Sequence, residues 1–157
     1  MIFNEDGVCS ACTNNEFLNK NVSWEEREEE FKKICKDIRS KKNNYDCVVP
    51  FSGGKDSSSI AHKLKFKFGL NPLLVTFAPL ISNEIGILNR QQIINQGFTN
   101  ILVKPDGNVS RYLSKRFFIE RGNPKVHWNA GIAAAPSKIA VEKKIDVIFF
   151  AEDPMLV

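Results

Sequence analysis

Between a short apolar run, Cys47-Val48-Val49-Pro50-Phe51, and a helix-forming stretch lies Ser52-Gly53-Gly54-Lys55-Asp56-Ser57, the junction that most limits what the chain can fold into. A continuous apolar run of that length suits a strand buried on both faces, as in a parallel sheet. The glycines allow a tight turn in which successive N–H groups point at one place, and a following helix adds its own free N–H groups and positive dipole end. Ser52 and Ser57 bring hydroxyls and Lys55 a point charge, the donors a phosphate group needs. Asp56 would repel phosphate, so its place there makes sense if it holds Mg²⁺ or caps the helix. A bare Gly-Gly pair is ordinarily a turn without a ligand. Six residues of this identity at a strand-to-helix junction point instead to a phosphate cradle. The spacing matches neither G-x-x-x-x-G-K-[ST] nor G-x-G-x-x-G, which excludes the Walker and dinucleotide loops.

The rest of the sequence places this junction in an alternating frame. Strands are expected at 47–51, Pro72–Phe77, Asn100–Lys104 and Asp146–Ala151. Helices are expected after Ser57 as far as Gly69, over 83–96 and over 109–121. A further helix over 128–144 contains Pro136 and should be kinked, or split with Pro136 starting the second piece. Alternation of this kind predicts an α/β fold, an open parallel sheet with helices on both faces. Residues 1–22 read as an irregular polar arm carrying Cys9 and Cys12. Ser23 then opens an amphipathic helix through a capping box with Glu26, with Phe31, Ile34, Cys35 and Ile38 on one stripe and Asn43-Asn44 ending it. The organisation expected is thus an arm and helix over 1–44 and a sheet domain over 45–157. Such a sheet normally continues, so the stop soon after the fourth strand suggests truncation at the C-terminal end.

Composition narrows the class. The 157 residues are 43% hydrophobic and 25% charged, the profile of a soluble globular domain. No apolar run approaches the roughly 20 residues of a membrane span, and the N-terminus lacks a secretory pattern, so a cytoplasmic location is expected. With 22 Lys+Arg against 18 Asp+Glu the net charge is +4, and the basic residues (Lys32-Lys33, Lys41-Lys42, Lys63, Lys65, Lys67, Lys143-Lys144) are scattered. That suits phosphate handling and argues against nucleic acid as the main partner.

Ser52 to Ser57 match the S-G-G-x-D-S signature of the PP-loop ATP pyrophosphatases, and the surrounding strand–helix order resembles that adenine nucleotide alpha hydrolase-like fold. The resemblance implies that residues 52–57 grip the pyrophosphate part of ATP with Mg²⁺ bridging it, that Lys55 and Asp56 serve catalysis, and that adenine lies near Thr76-Phe77. More closely, the chain resembles the N-terminal portion of the N-acetyl sugar amidotransferases. This rests on Gly7-Val8-Cys9-Ser10-Ala11-Cys12, Trp24-Glu25, Tyr45-Asp46-Cys47-Val48-Val49-Pro50, Gly69-Leu70-Asn71-Pro72-Leu73-Leu74-Val75-Thr76 and Asn83-Glu84-Ile85-Gly86. It implies an ATP-dependent amidotransferase that converts an N-acetylated sugar into an acetamidino sugar for bacterial surface glycans. No cysteine carries a local signature for hydrolysing glutamine, so ammonia is expected from a separate glutaminase subunit. The rival readings are a PP-loop enzyme that modifies tRNA and a truncated nucleotide-binding module without turnover.

Several smaller features remain open. Cys9 and Cys12 could be half of a zinc site, which needs four ligands, and a redox role is disfavoured without a surrounding strand–helix context. His62 reads as a surface or packing residue. His127-Trp128 is expected in a turn, lining the sugar pocket or simply packing. Glu152-Asp153 and Asn83-Glu84 follow strands at the productive edge, where they either read ligand or are solvated ends.

Overall fold

The structure, a computed structural model, describes residues 2–39, 44–79 and 81–152, and Lys41, Lys42, Asn43 and Asp153 lie outside them. Two compact units result, Met1–Asp37 and Ile38–Val157, dividing inside the second helix rather than at the 44/45 junction.

In the first unit the expected irregular arm is a helix, α1 (Ser10–Asn21), with Cys9 as its N-cap. It buries none of its residues, and a helix that is polar all round leaves no apolar period to detect. A short turn precedes it, with Gly7 at φ +74° and an antiparallel bridge between Phe3 and Cys9. The second helix, α2 (Trp24–Arg39), begins as expected, with Glu26 N–H donating to Ser23 Oγ at 3.3 Å. Cys35 and Ile38 are buried, but Ile34 is 51% exposed and falls off the stripe.

The second unit runs β1 (Cys47–Pro50), α3 (Lys55–His62), a π-helical turn Lys63–Lys67, β2 (Pro72–Phe77), α4 (Glu84–Asn95), β3 (Thr99–Val103), α5 (Gly107–Arg121) and α6 (Val126–Lys143). Gly69, at φ +69°, closes the α3 segment. The three strands form a parallel sheet in the order β1-β2-β3, with Pro50 opposite Val75 and Phe77 opposite Val103. Crossovers between neighbouring parallel strands are right-handed, which puts α3 and α4 on one face. Lys65 of the π turn donates to Gly97 O at 2.5 Å, tying that segment to the end of α4. The chain then returns through α5 and α6 to the other side of β1. There Val48 N–H donates to Val147 O and Phe149 N–H to Val48 O, both at 2.9 Å.

The expected fourth strand is therefore a single parallel bridge, Val48 to Ile148. Val48 makes both of its bonds, and among the described residues no outer neighbour extends the ladder. Pro136 neither splits α6 nor starts a new helix; it sits fully buried inside one continuous helix.

Strand alternation divides the core between the two faces. Val48, Leu73 and Val75 pack with Ala135, Ala140 and Ile145 of the α6 segment. Cys47, Val49 and Leu74 point the other way and are also sealed from solvent, with α3 against β1 on that side. The architecture is α/β, an open parallel sheet flanked by helices. α4 is an exception to the apolar-stripe expectation, because Ile85 and Leu88 are 71% and 58% exposed and no residue of the helix is buried.

A close approach fixes α6 on its face. A Cβ added at Gly131 would lie 2.3 Å from Phe77 Cε1 and 2.4 Å from Cζ. Gly131→Ala should gain about 1 kcal/mol of helix propensity but lose roughly 1–3 kcal/mol to overpacking. Net destabilisation is expected from the shift of the urea midpoint, with partial recovery when Phe77→Leu is added; an unchanged midpoint would contradict the contact.

Candidate phosphate-binding site

β1 has β2 on one side and the Ile148 segment on the other, so the sheet reverses its direction of growth at β1. In open α/β sheets, ligands bind outside the carboxyl ends of the strands at such a switch point. The chain leaves β1 there. Phe51 N–H still donates to Val75 O at 2.8 Å, and the next six residues are Ser52 to Ser57.

Gly53 turns the backbone with φ +84°, in the left-handed region. Gly54 then stands at the N-cap of α3 with φ −76° and offers no side-chain cap. The first amides of α3 are thus not satisfied by a capping side chain, as an anion site on a helix N-terminus requires. The two serines brace the turn. Gly54 N–H donates to Ser52 Oγ at 3.2 Å, and Ser52 N–H donates to Ser57 Oγ at 3.4 Å. Ser57 Oγ donates to Gly54 O at 3.3 Å and also lies 3.3 Å from Ser52 Oγ. With its proton on Gly54 O, the buried Ser57 is chiefly a brace, and Ser52, which is exposed, keeps a hydroxyl proton free to turn outward. Lys55 and Asp56 lie on the exposed first turn.

The other expected nucleotide residues are beside the loop, though not in the way the sequence suggested. The β1–β2 register places Phe77 next to Ser52, two positions beyond the Pro50–Val75 pair. The Phe77 ring turns to α6 at Gly131. Thr76 points to the opposite face, is 3% exposed, and accepts from Asn100 Nδ2 at 2.9 Å. Its side chain is thus engaged within the sheet. Asn100, from β3, carried no sequence signal for this role.

A second approach was also invisible in the sequence. A Cβ on Gly53 would meet Arg90 N at 3.3 Å, Gly86 O at 3.4 Å and Arg90 Cα at 3.5 Å, so the α4 backbone lies directly against the loop. Asn83 proves to be the α4 N-cap, accepting from Gly86 N–H at 2.7 Å, and Glu84 is an exposed first-turn residue. His62 is exposed, with its ring 4.5 Å from that of Phe66. His127 and Trp128 belong to the first turn of α6 rather than to a loop. Both His127 ring nitrogens and Trp128 Nε1 are buried and, among the described residues, have no hydrogen-bond partner, and the His127 ring stacks on Phe117 at 6.5 Å. Glu152 is exposed.

Cys9 and Cys12 lie in the first unit, with Cys9 capping α1 and its Sγ 3.5 Å from Cys12 Sγ. That separation is close to the sulfur–sulfur edge of a tetrahedral site with Zn–S of about 2.3 Å. Among the described residues, however, no cluster of three or more His, Cys, Asp or Glu forms, so the pair is two ligands short. A helix N-terminus does surround the pair, contrary to the open-arm expectation. The Cys12 backbone N–H and then its thiol hold the Cys9 thiol below its ordinary value, whereas Cys12 is raised by its hydrogen bond to Cys9 and then by the charge there. Burial raises Cys35.

No family model matches the chain. It is similar to an uncharacterized protein of Methanocaldococcus jannaschii, 30% identical over 112 residues, covering 64% of this chain and 40% of the relative. The chain thus spans about two fifths of the length of that relative. No helix among the described residues is long and apolar enough to cross a membrane.

Two outcomes follow from this geometry. Gly53→Ala places a side chain in the left-handed region against the α4 backbone and should cost about 1–3 kcal/mol. Gly54→Ala meets only the rotatable Ser52 hydroxyl and should cost less, so equal urea midpoints for the two variants would contradict the loop geometry. In the first unit, a lowered Cys9 keeps its thiolate to lower pH than Cys12. Iodoacetamide should therefore modify Cys9 first, with a pH midpoint below the ordinary thiol value, as read by peptide mass spectrometry; equal rates at both cysteines would sink the assignment.

Proposed function

We propose that the chain is the ATP-binding part of an ATP-dependent amidotransferase acting on an N-acetylated sugar. The observation that carries the nucleotide half of this reading is the Ser52–Ser57 turn. It leaves the carboxyl end of β1 through a left-handed Gly53 and enters an α3 whose N-terminus has no side-chain cap. Main-chain amides in that arrangement suit the outer phosphates of ATP, with Lys55 beside them as a point charge. The Asp56 carboxylate, exposed on the same turn, would hold Mg²⁺, which would neutralise phosphate charge there. The adenine is assigned to the strand end at Thr76-Phe77.

The acceptor half rests on the resemblance in the N-terminal and loop segments. The acetamido oxygen attacks the α-phosphorus, releasing pyrophosphate and leaving the oxygen adenylated. Ammonia adds at the activated carbon, AMP departs with that oxygen, and an amidine remains. The step requires positioning and charge stabilisation rather than a protein nucleophile. Ammonia is assigned to a separate glutaminase subunit. Zinc at Cys9 and Cys12 would need two ligands from beyond the described residues.

The test is to incubate the protein with Mg-ATP, ammonia or glutamine, and either N-acetyl sugars or tRNA, and to assay AMP and pyrophosphate. Sugar-dependent AMP release is expected. RNA-dependent release would transfer the function to tRNA modification, and nucleotide binding without AMP from any acceptor would leave a binding module. Asp56→Ala should reduce AMP formation by about two orders of magnitude or more, as for loss of a group that stabilises transition-state charge. Unchanged turnover would remove Asp56 from the site.

A further inference from the structure

We propose that Arg90 of α4 is an additional contact for the outer phosphates of a nucleotide held at the Ser52–Ser57 turn, an inference that rests on the nucleotide reading above. Its starting point is the approach of two backbones. A Cβ at Gly53 would lie 3.5 Å from Arg90 Cα and 3.3 Å from its N, so the position from which this side chain springs is beside the phosphate turn.

Direction comes from helix geometry. α4 begins shortly after β2 ends and runs back towards the start of β3, so its N-terminus lies at the carboxyl edge of the sheet. Cα–Cβ bonds of a helix tilt towards its N-terminus. The Arg90 side chain therefore leans towards the edge at which the first amides of α3 open.

Charge supplies the second argument. Arg90 is half-buried, and among the described residues its side chain has no ion-pair or hydrogen-bond partner. Lys32, by contrast, pairs with Glu28 and Glu29, Arg116 with Glu120, and Lys65 bonds Gly97 O. A guanidinium presents a planar fork that meets two phosphate oxygens at once, which Lys55, as a point charge, cannot do. The turn's main-chain amides and the fork would then approach the outer phosphates from α3 and α4 respectively. The close packing also gives Gly53 a second constraint, since a side chain there would push Arg90 out of reach.

Titrations of the full chain with Mg-ATP, inorganic pyrophosphate and AMP, followed by NMR chemical shifts, test this. Arg90→Ala should weaken ATP and pyrophosphate about tenfold to a hundredfold, the range for losing a charged hydrogen-bond donor, and leave AMP binding unchanged. Arg90→Gln, which keeps part of the stem, should show the same selective loss, and Arg90→Lys should fall between it and wild type. Wild-type affinity for pyrophosphate in the Ala and Gln variants would overturn the proposal while leaving the nucleotide reading intact. Equal weakening of AMP would overturn it as well, by showing a distorted site. A wild-type protein that binds neither ATP nor pyrophosphate would bring down both the nucleotide reading and this one.

Discussion

β1 is gripped from both sides by main-chain hydrogen bonds, and the position of every group at the candidate site follows from that. Its register against β2 carries past Pro50 to the bond from Phe51 N–H to Val75 O, while Val48 holds the returning segment on its other side. Buried N–H and C=O groups have to be paired, so a four-residue strand sealed from water has little freedom to slide. The point at which the chain leaves the sheet is fixed by these bonds, and with it the origin of the Gly53 turn. A one-residue slip would turn Val48 away from α6 and move the turn off the switch point.

From that origin the site is shaped by close approaches of backbone rather than by long side chains. Gly53 admits α4 to the loop, and Gly131 admits the Phe77 ring to α6. Both helices are thereby drawn to the carboxyl edge of the sheet, one from each face. α4 shows the consequence most clearly. Its large apolar side chains at Ile85 and Leu88 remain exposed, and its meeting with the loop runs through Gly86 and Arg90. A helix placed by its backbone does not need the stripe of apolar residues that ordinarily positions one.

The serines illustrate how a recognisable motif can divide its labour. Hydroxyls in a phosphate turn suggest ligand contacts, yet Ser57 is buried and bonds the Gly54 carbonyl, and Ser52 accepts from the Gly54 amide. Such local side-chain-to-backbone bonds hold a turn in shape before any ligand arrives. The turn's amides are thereby held in place by its own side chains.

The motif from Ser52 to Ser57, the strand at Pro72–Phe77 and the helix caps at Ser23 and Gly69 could be read along the chain because each depends on neighbours within a few residues. Buried strands are apolar runs, turns need glycine, and caps need a hydroxyl or a left-handed residue, so local chemistry declares them. α1 escaped that reading because a helix with no buried face has no apolar rhythm, and the strand at 146–151 shrank to one bridge because ladders depend on partners far away in sequence. Pro136 reads as a break and is instead fully buried inside one continuous α6, a placement that depends on tertiary surroundings rather than on local propensity. The engagement of Thr76 by Asn100, the turn of Phe77 towards Gly131 and the contact of Arg90 with Gly53 join residues more than twenty positions apart. Those contacts exist only once the parallel register and the right-handed crossovers have brought the strand ends and helices to one edge.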